Sequence, residues 1–125
     1  MSALLQVALG GALGASARYL TGIAIIRAIG QTPFPVAIIA VNVLGSFLMG
    51  VFVVLAAHRG LTHLSPFVMA GLLGGFTTFS AFSLEAVTLW ERGAAGQAAV
   101  YVALSVALSV AGLLAGLACA RAIIA

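Results

Sequence analysis

The sequence predicts an all-α membrane protein with four transmembrane helices per subunit, the third broken at its centre, assembled as an antiparallel, dual-topology homodimer. Three observations lead there. Of 125 residues, 64% are hydrophobic and 6% charged, against roughly 45–50% and about 25% in soluble domains. Residues 28–58, 60–84 and 93–120 contain no Asp, Glu, Lys or Arg, and each run exceeds the about 20 residues that cross a hydrocarbon core as helix. The middle of the third span reads Gly74-Gly75-Phe76-Thr77-Thr78-Phe79-Ser80-Ala81-Phe82-Ser83, poor material for a continuous helix. A water-soluble globule is excluded, and the lone Cys119 excludes a disulfide scaffold. The carboxylates are Glu85 and Glu91 alone, so most enzyme chemistry lacks its groups and no catalytic activity is expected. The basic residues are Arg spread singly along the chain, without the basic stripe that nucleic-acid binding requires. The N-terminus has no basic stretch before its first apolar run, so no cleavable signal peptide is expected.

A single transmembrane domain over residues 1–125 is expected, with spans at roughly 2–27, 34–57, 65–90 and 97–120. Gly30, Pro33 and Pro35 break the chain after span one. His58, Arg59, Gly60 and His63 form the next connector, and Ser65-Pro66 reads as an N-cap followed by Pro at the first helical position. Trp90 suits an interfacial aromatic belt, and Glu91-Arg92-Gly93 a solvated helix end. Four spans put both termini and the 58–64 connector on one side, with Arg59 and Arg121. Arg27 and Arg92 lie on the other side. Arg bias sets topology, and two against two sets none, so the chain is expected to insert both ways and pair as an antiparallel dimer with its two-fold axis in the membrane plane. The bland alternative is that one-residue differences fix the orientation.

In span one, Gly10, Gly14, Arg18 and Gly22 recur every four residues and share one helix face. The glycines permit close helix approach. A central Arg costs about 2.5–3.5 kcal/mol to insert, so Arg18 is expected to face protein or water. It either caps carbonyls of another helix or attracts anions. In span two, Asn42 and Ser46 are one turn apart, with Gly45 and Gly50 nearby. Asn42 is either interhelical glue or a donor to an anion.

Span three is read as two half-helices, 65–75 and 79–90. Unwound backbone at that depth survives only inside protein or beside water. It exposes carbonyls suited to a cation and N–H groups suited to an anion. The alternative is a continuous helix whose Ser and Thr bond back to their own carbonyls. Phe79 and Phe82 share a face and are either packing or ring edges turned to an anion. In span four, Tyr101, Ser105 and Ser109 form a hydroxyl row, with Gly112 and Gly116 beyond. His58 and His63 are expected in a solvated loop, Cys119 as a packing residue and Glu91 at the surface. Glu85 is either solvated or an intramembrane functional group. The intramembrane polar groups are donors without the carboxylate rings of a cation pathway, which points to a small anion.

These motifs resemble the CrcB/Fluc family of small bacterial fluoride channels over nearly the whole chain. Gly10-Gly11-Ala12-Leu13-Gly14-Ala15-Ser16-Ala17-Arg18-Tyr19 resembles its first-helix motif and Val41-Asn42-Val43-Leu44-Gly45-Ser46-Phe47 its second. Gly74 through Phe82 resembles its third-helix signature. The resemblance implies a multi-pass protein of the bacterial cytoplasmic (inner) membrane, a dual-topology homodimer with two pores that passes fluoride out of the cytoplasm and lowers its toxic concentration. It implies that Phe79 and Phe82 present ring edges to the ion, that Asn42 donates to it, that Tyr101, Ser105 and Ser109 form a polar track, and that Arg18 attracts anions or anchors helices. It also implies a structural sodium ion on the backbone carbonyls of Gly74 and Thr77 from both subunits.

Two positions depart from the family pattern. Ile38, preceded by Ala37, stands where the family usually has Thr preceded by Gly, and Ala81 stands for a common Thr. Conduction is expected to persist, with rate and halide discrimination open. Two other readings compete. A proton-coupled small multidrug exporter needs a first-helix carboxylate, where this chain has Arg18. A non-transporting structural membrane protein predicts no register among its buried polar residues.

Overall fold

A computed structural model describes residues 2–125. The chain forms α1 (Ala3–Ile29), α2 (Val36–Arg59), α3 (residues 66–76), α4 (Ser80–Glu91) and α5 (Ala95–Ile124). A 3₁₀ turn at Thr62–Leu64, α3 and α4 together make the third span, Thr62–Glu91, so four spans are long and apolar enough to cross a membrane. The 27 residues of α1 reach about 40 Å at 1.5 Å per residue, more than the roughly 30 Å hydrocarbon thickness.

Local chemistry sets the ends. The Ser2 hydroxyl accepts from the Leu5 N–H at 3.1 Å and caps α1. Gly60 ends α2 with φ +69, a left-handed conformation that glycine adopts without a Cβ penalty. Pro66 occupies the first position of α3, as its missing N–H requires. Ser65 does not cap that helix: its dihedrals are helical and its side chain bonds no N–H, because the 3₁₀ turn runs straight into α3. The first eight residues of α3, Pro66–Leu73, wind as a π-helix, with the Gly74 N–H reaching back to the Met69 carbonyl, before an α turn at Gly74–Phe76.

The helices pack in two parallel pairs, and glycine decides both. Lipid tails are as apolar as Leu, so helices associate in a bilayer by close contact at small residues rather than by escape from water. In the first pair, α1 lies on α3. A Cβ on Gly14 would collide with the Leu72 carbonyl, and one on Gly10 with the Phe67 carbonyl. From the opposite side, Gly71 faces the Gly10 Cα and Gly75 faces the Gly11 carbonyl, each at 2.9 Å from an added Cβ. In the second pair, α2 lies on α5: Gly116 abuts the Phe47 carbonyl, Gly50 the Leu113 carbonyl, and Gly112 the Val43 carbonyl. Gly22 departs from the expected packing face, since an added Cβ there meets nothing within 4 Å and the residue borders a cavity.

Apolar side chains point outward along every span, including Leu4, Leu20, Val53, Leu84, Val106 and Ile123, whereas the buried set is small: Val41, Leu73, Phe76, Leu89, Tyr101 and a few Ala. Cys119 is exposed on α5 rather than packed.

Gly14→Ala is expected to lower the thermal stability of the purified protein in detergent by about 1–3 kcal/mol, the usual range for overpacking. The neighbouring Gly11→Ala, whose added methyl meets nothing within 4 Å, should leave it unchanged or raise it. Melting curves of the two variants side by side check the glycine contact.

Candidate ion site at the interrupted third span

The third span is interrupted at residues 77–79. Thr77 is extended (φ −85, ψ 161), and Phe79 returns to helical dihedrals just before α4 begins at Ser80. Both sequence readings of this stretch are partly present. The helix breaks, and Thr77, Ser83 and Thr88 nonetheless return their hydroxyls to the carbonyls of Leu73, Phe79 and Leu84. Thr78 does not. Its hydroxyl accepts from the Ala81 N–H at 3.1 Å and caps α4.

Three side chains take over the backbone groups the break sets free. The Thr78 N–H donates to Asn42 Oδ1 at 2.8 Å, and Asn42 Nδ2 donates back to the Thr78 carbonyl at 3.0 Å. The Asn42 amide thereby pairs with the Thr78 backbone as one peptide group pairs with another. This fixes which end of the amide is which, and leaves the second Nδ2 hydrogen for the cavity that Asn42 lines. Arg18 Nε donates to the Gly75 carbonyl at 3.3 Å, so Arg18 does cap a carbonyl of another helix.

The same exchanges bear on the two carbonyls suggested for a cation. In a continuous helix the Gly74 carbonyl would accept from the Thr78 N–H, and the Thr77 carbonyl from the Ala81 N–H. Asn42 Oδ1 and Thr78 Oγ1 take those donors instead. Two hard oxygen ligands without their helical donors fit an alkali or alkaline-earth cation by chemistry. Two oxygens are too few to enclose one alone.

A cavity of about 310 Å³ opens beside the break. Asn42, Phe79, Phe82, Ser105 and Ser109 all line it, joined by Ser46 and Thr78, and no carboxylate does. A second cavity of about 320 Å³ lies across Thr78, which borders both. Arg18 lines the second, together with Tyr19, Gly22, Ile38 and Ala81. The candidate residues therefore divide. Five share one cavity, and Arg18 has another in company with both departing positions.

Tyr101 lines neither cavity. It is fully buried, and its ring packs on Phe82 (centroids 5.3 Å) and edge-on against Phe34 (5.7 Å, 89°). Phe79 and Phe82 lie 5.4 Å apart, so Phe79, Phe82, Tyr101 and Phe34 form one aromatic file. Its two ends differ: Phe34 is half-buried, and Phe79 is 78% exposed. Sequence reasoning overlooked Phe34, which lies in the connector just before α2 begins at Val36, where helical spacing carries no information. Glu85 is half-buried on α4 and borders neither cavity; His58, His63 and Glu91 are exposed.

The model of the CrcB-like protein, Camphor Resistance (CrcB) family matches residues 5–117, from the first turn of α1 to most of α5. The chain belongs to the CrcB-like family. Its relatives include proteins named fluoride-specific ion channel FluC. That of Ruegeria sp. (strain TM1040) is 74% identical over 99 residues, 79% of each chain. That of Roseobacter denitrificans is 68% identical over 104 residues (82% of each), and that of Mesorhizobium japonicum 49% over 92 residues (73% of each). All the residues of the two cavities fall within the CrcB-like match.

The hydrogen bonds at the break predict a stability order. Asn42→Ala leaves the Thr78 N–H and carbonyl without their partners, at about 1–3 kcal/mol for each group that stays dry. Thr78→Ala loses one helix cap, about 1 kcal/mol, and Thr78→Ser keeps it. Thermal melts should therefore rank Asn42→Ala below Thr78→Ala, and Thr78→Ala below Thr78→Ser, with the last close to the parent.

Proposed function

We propose that this chain is the subunit of a fluoride-selective channel that passively exports fluoride across the bacterial inner membrane and so limits its toxicity in the cytoplasm. The observation that carries the reading is the donor-lined cavity at the break. There the fixed Asn42 amide, the Ser105 and Ser109 hydroxyls and the Phe79–Phe82 pair converge with no carboxylate. Fluoride relatives at 49–74% identity support it.

In this mechanism the low dielectric of the membrane interior strengthens each donor. Asn42 offers its free Nδ2–H, with the orientation of the amide held by the Thr78 backbone. The rings of Phe79 and Phe82 turn electropositive edges to the ion, and Ser105 and Ser109 carry it along α5. Arg18, in the neighbouring cavity, raises the local anion concentration. A small ion of high charge density suits such a lining, because it gains most from a few short hydrogen bonds.

The working unit is an antiparallel, dual-topology homodimer in the bilayer with two pores. The balanced Arg distribution and the exposure of Phe79 beside an open cavity support a second copy completing each pathway. The Gly74 and Thr77 backbone carbonyls of both subunits would hold a structural sodium ion, which would supply the positive charge that ties the freed carbonyls together.

Liposomes carrying the purified protein are expected to lose fluoride rapidly and to retain chloride under equal gradients. No flux of either ion from folded, dimeric protein would overturn the reading. Phe79→Ile and Phe82→Ile should each slow fluoride efflux about 2- to 10-fold, the equivalent of one ring interaction, with the dimer intact on size-exclusion chromatography. Asn42→Asp places a carboxylate on the pathway and should slow efflux by more than about tenfold through like-charge repulsion.

A further inference from the structure

The buried hydroxyls of Tyr101 and Ser105, on residues 0% and 5% exposed, face each other and have no hydrogen-bond partner outside the pair. A buried polar group left unbonded is costly, so what stands opposite them matters. The register of α2 on α5 identifies it. Phe34 meets Tyr101, Val43 meets Gly112 and Phe47 meets Gly116, with the partner's number rising along both helices. Ile38, on the first turn of α2 and one turn before Asn42, lies between these contacts, near the level of Ser105. It packs against the cluster of Leu89, Ala98 and Tyr101, and it also lines the cavity that holds Arg18.

Ile38 thus has one flank on the cationic cavity and the other on the apolar cluster that buries Tyr101. An aliphatic side chain there offers an ion in transit no hydrogen bond, and apolar constrictions in pores act by losing water. Phe34 and Phe82 close the remaining approaches to Tyr101 with aromatic surface. Ala81, the other apolar residue at this point, lines the same cavity beside Thr78.

We propose that Ile38 forms a dry step between the Arg18 cavity and the Tyr101–Ser105 hydroxyls, and that this step limits the rate at which the chain passes fluoride. The proposal rests on the fluoride-channel reading above. It assigns Ile38 a rate-setting role without direct bonding to the ion.

Ile38→Thr and Ile38→Val test it as a matched pair, since both are β-branched and close in volume while only Thr carries a hydroxyl. Fluoride efflux from liposomes is measured for the parent and both variants at equal protein density, with chloride efflux in parallel. Ile38→Thr is expected to raise the fluoride rate about 3- to 10-fold, the equivalent of one hydrogen bond, with chloride still retained and Ile38→Val close to the parent. Ile38→Ser carries the same expectation if the Thr variant does not yield dimer. Unchanged fluoride flux in the hydroxyl variant would overturn the proposal while leaving the channel reading standing. So would an equal rise in Ile38→Val, which makes volume the cause, or a parallel rise in chloride, which marks a loosened bundle. Absence of fluoride flux in the parent itself would remove both.

Discussion

The polar architecture of this chain depends on the pair of hydrogen bonds between the Asn42 amide and the Thr78 backbone. An interrupted helix among apolar side chains is untenable unless the freed backbone groups find partners, because no water is at hand to take them. A carboxamide has the same donor and acceptor as a peptide group, so one Asn satisfies both groups of Thr78. These bonds also tie α2 to the break, while the glycine contacts tie α2 to α5 and α1 to α3. The two parallel pairs are joined at that point.

A chain of substitutions follows from this clasp. Asn42 takes the donor that the Gly74 carbonyl would have had, and Thr78 Oγ1 takes the one due to the Thr77 carbonyl. Arg18 donates to the carbonyl between them in sequence, that of Gly75. The break therefore gathers released carbonyls, the Asn42 amide and the serines of α5 within a short stretch, with Thr77 and Thr78 lining the donor-rich cavity and Thr78 bordering the second cavity as well.

The aromatic file supplies the apolar counterpart. Tyr101 is held between Phe82 and Phe34, which buries its hydroxyl instead of leaving it on an open track. Three hydroxyls four residues apart share a helix face, yet only Ser105 and Ser109 reach the cavity. The difference comes from the connector before α2, where Phe34 turns in beside Tyr101. Nothing on α5 itself encodes it.

The family resemblance, and no local pattern, grouped Asn42, Phe79, Phe82, Ser105 and Ser109, which the structure brings to one cavity. Composition and local period determined the membrane class, four spans placed within a few residues of their observed ends, and the break near Thr77. Those properties are local: the length of an apolar run, a glycine pair followed by hydroxyls, a four-residue repeat. Glycine spacing marked the packing faces as well, although it treated Gly22 like Gly14, since spacing alone carries no knowledge of which helix lies opposite. Whether Arg18 caps a carbonyl, which freed group each side chain takes, how Tyr101 is sealed and where Ile38 stands were decided only by the tertiary structure. Each depends on the register between helices far apart in sequence. In a bilayer that register follows from backbone contacts at glycine rather than from any pattern along one helix.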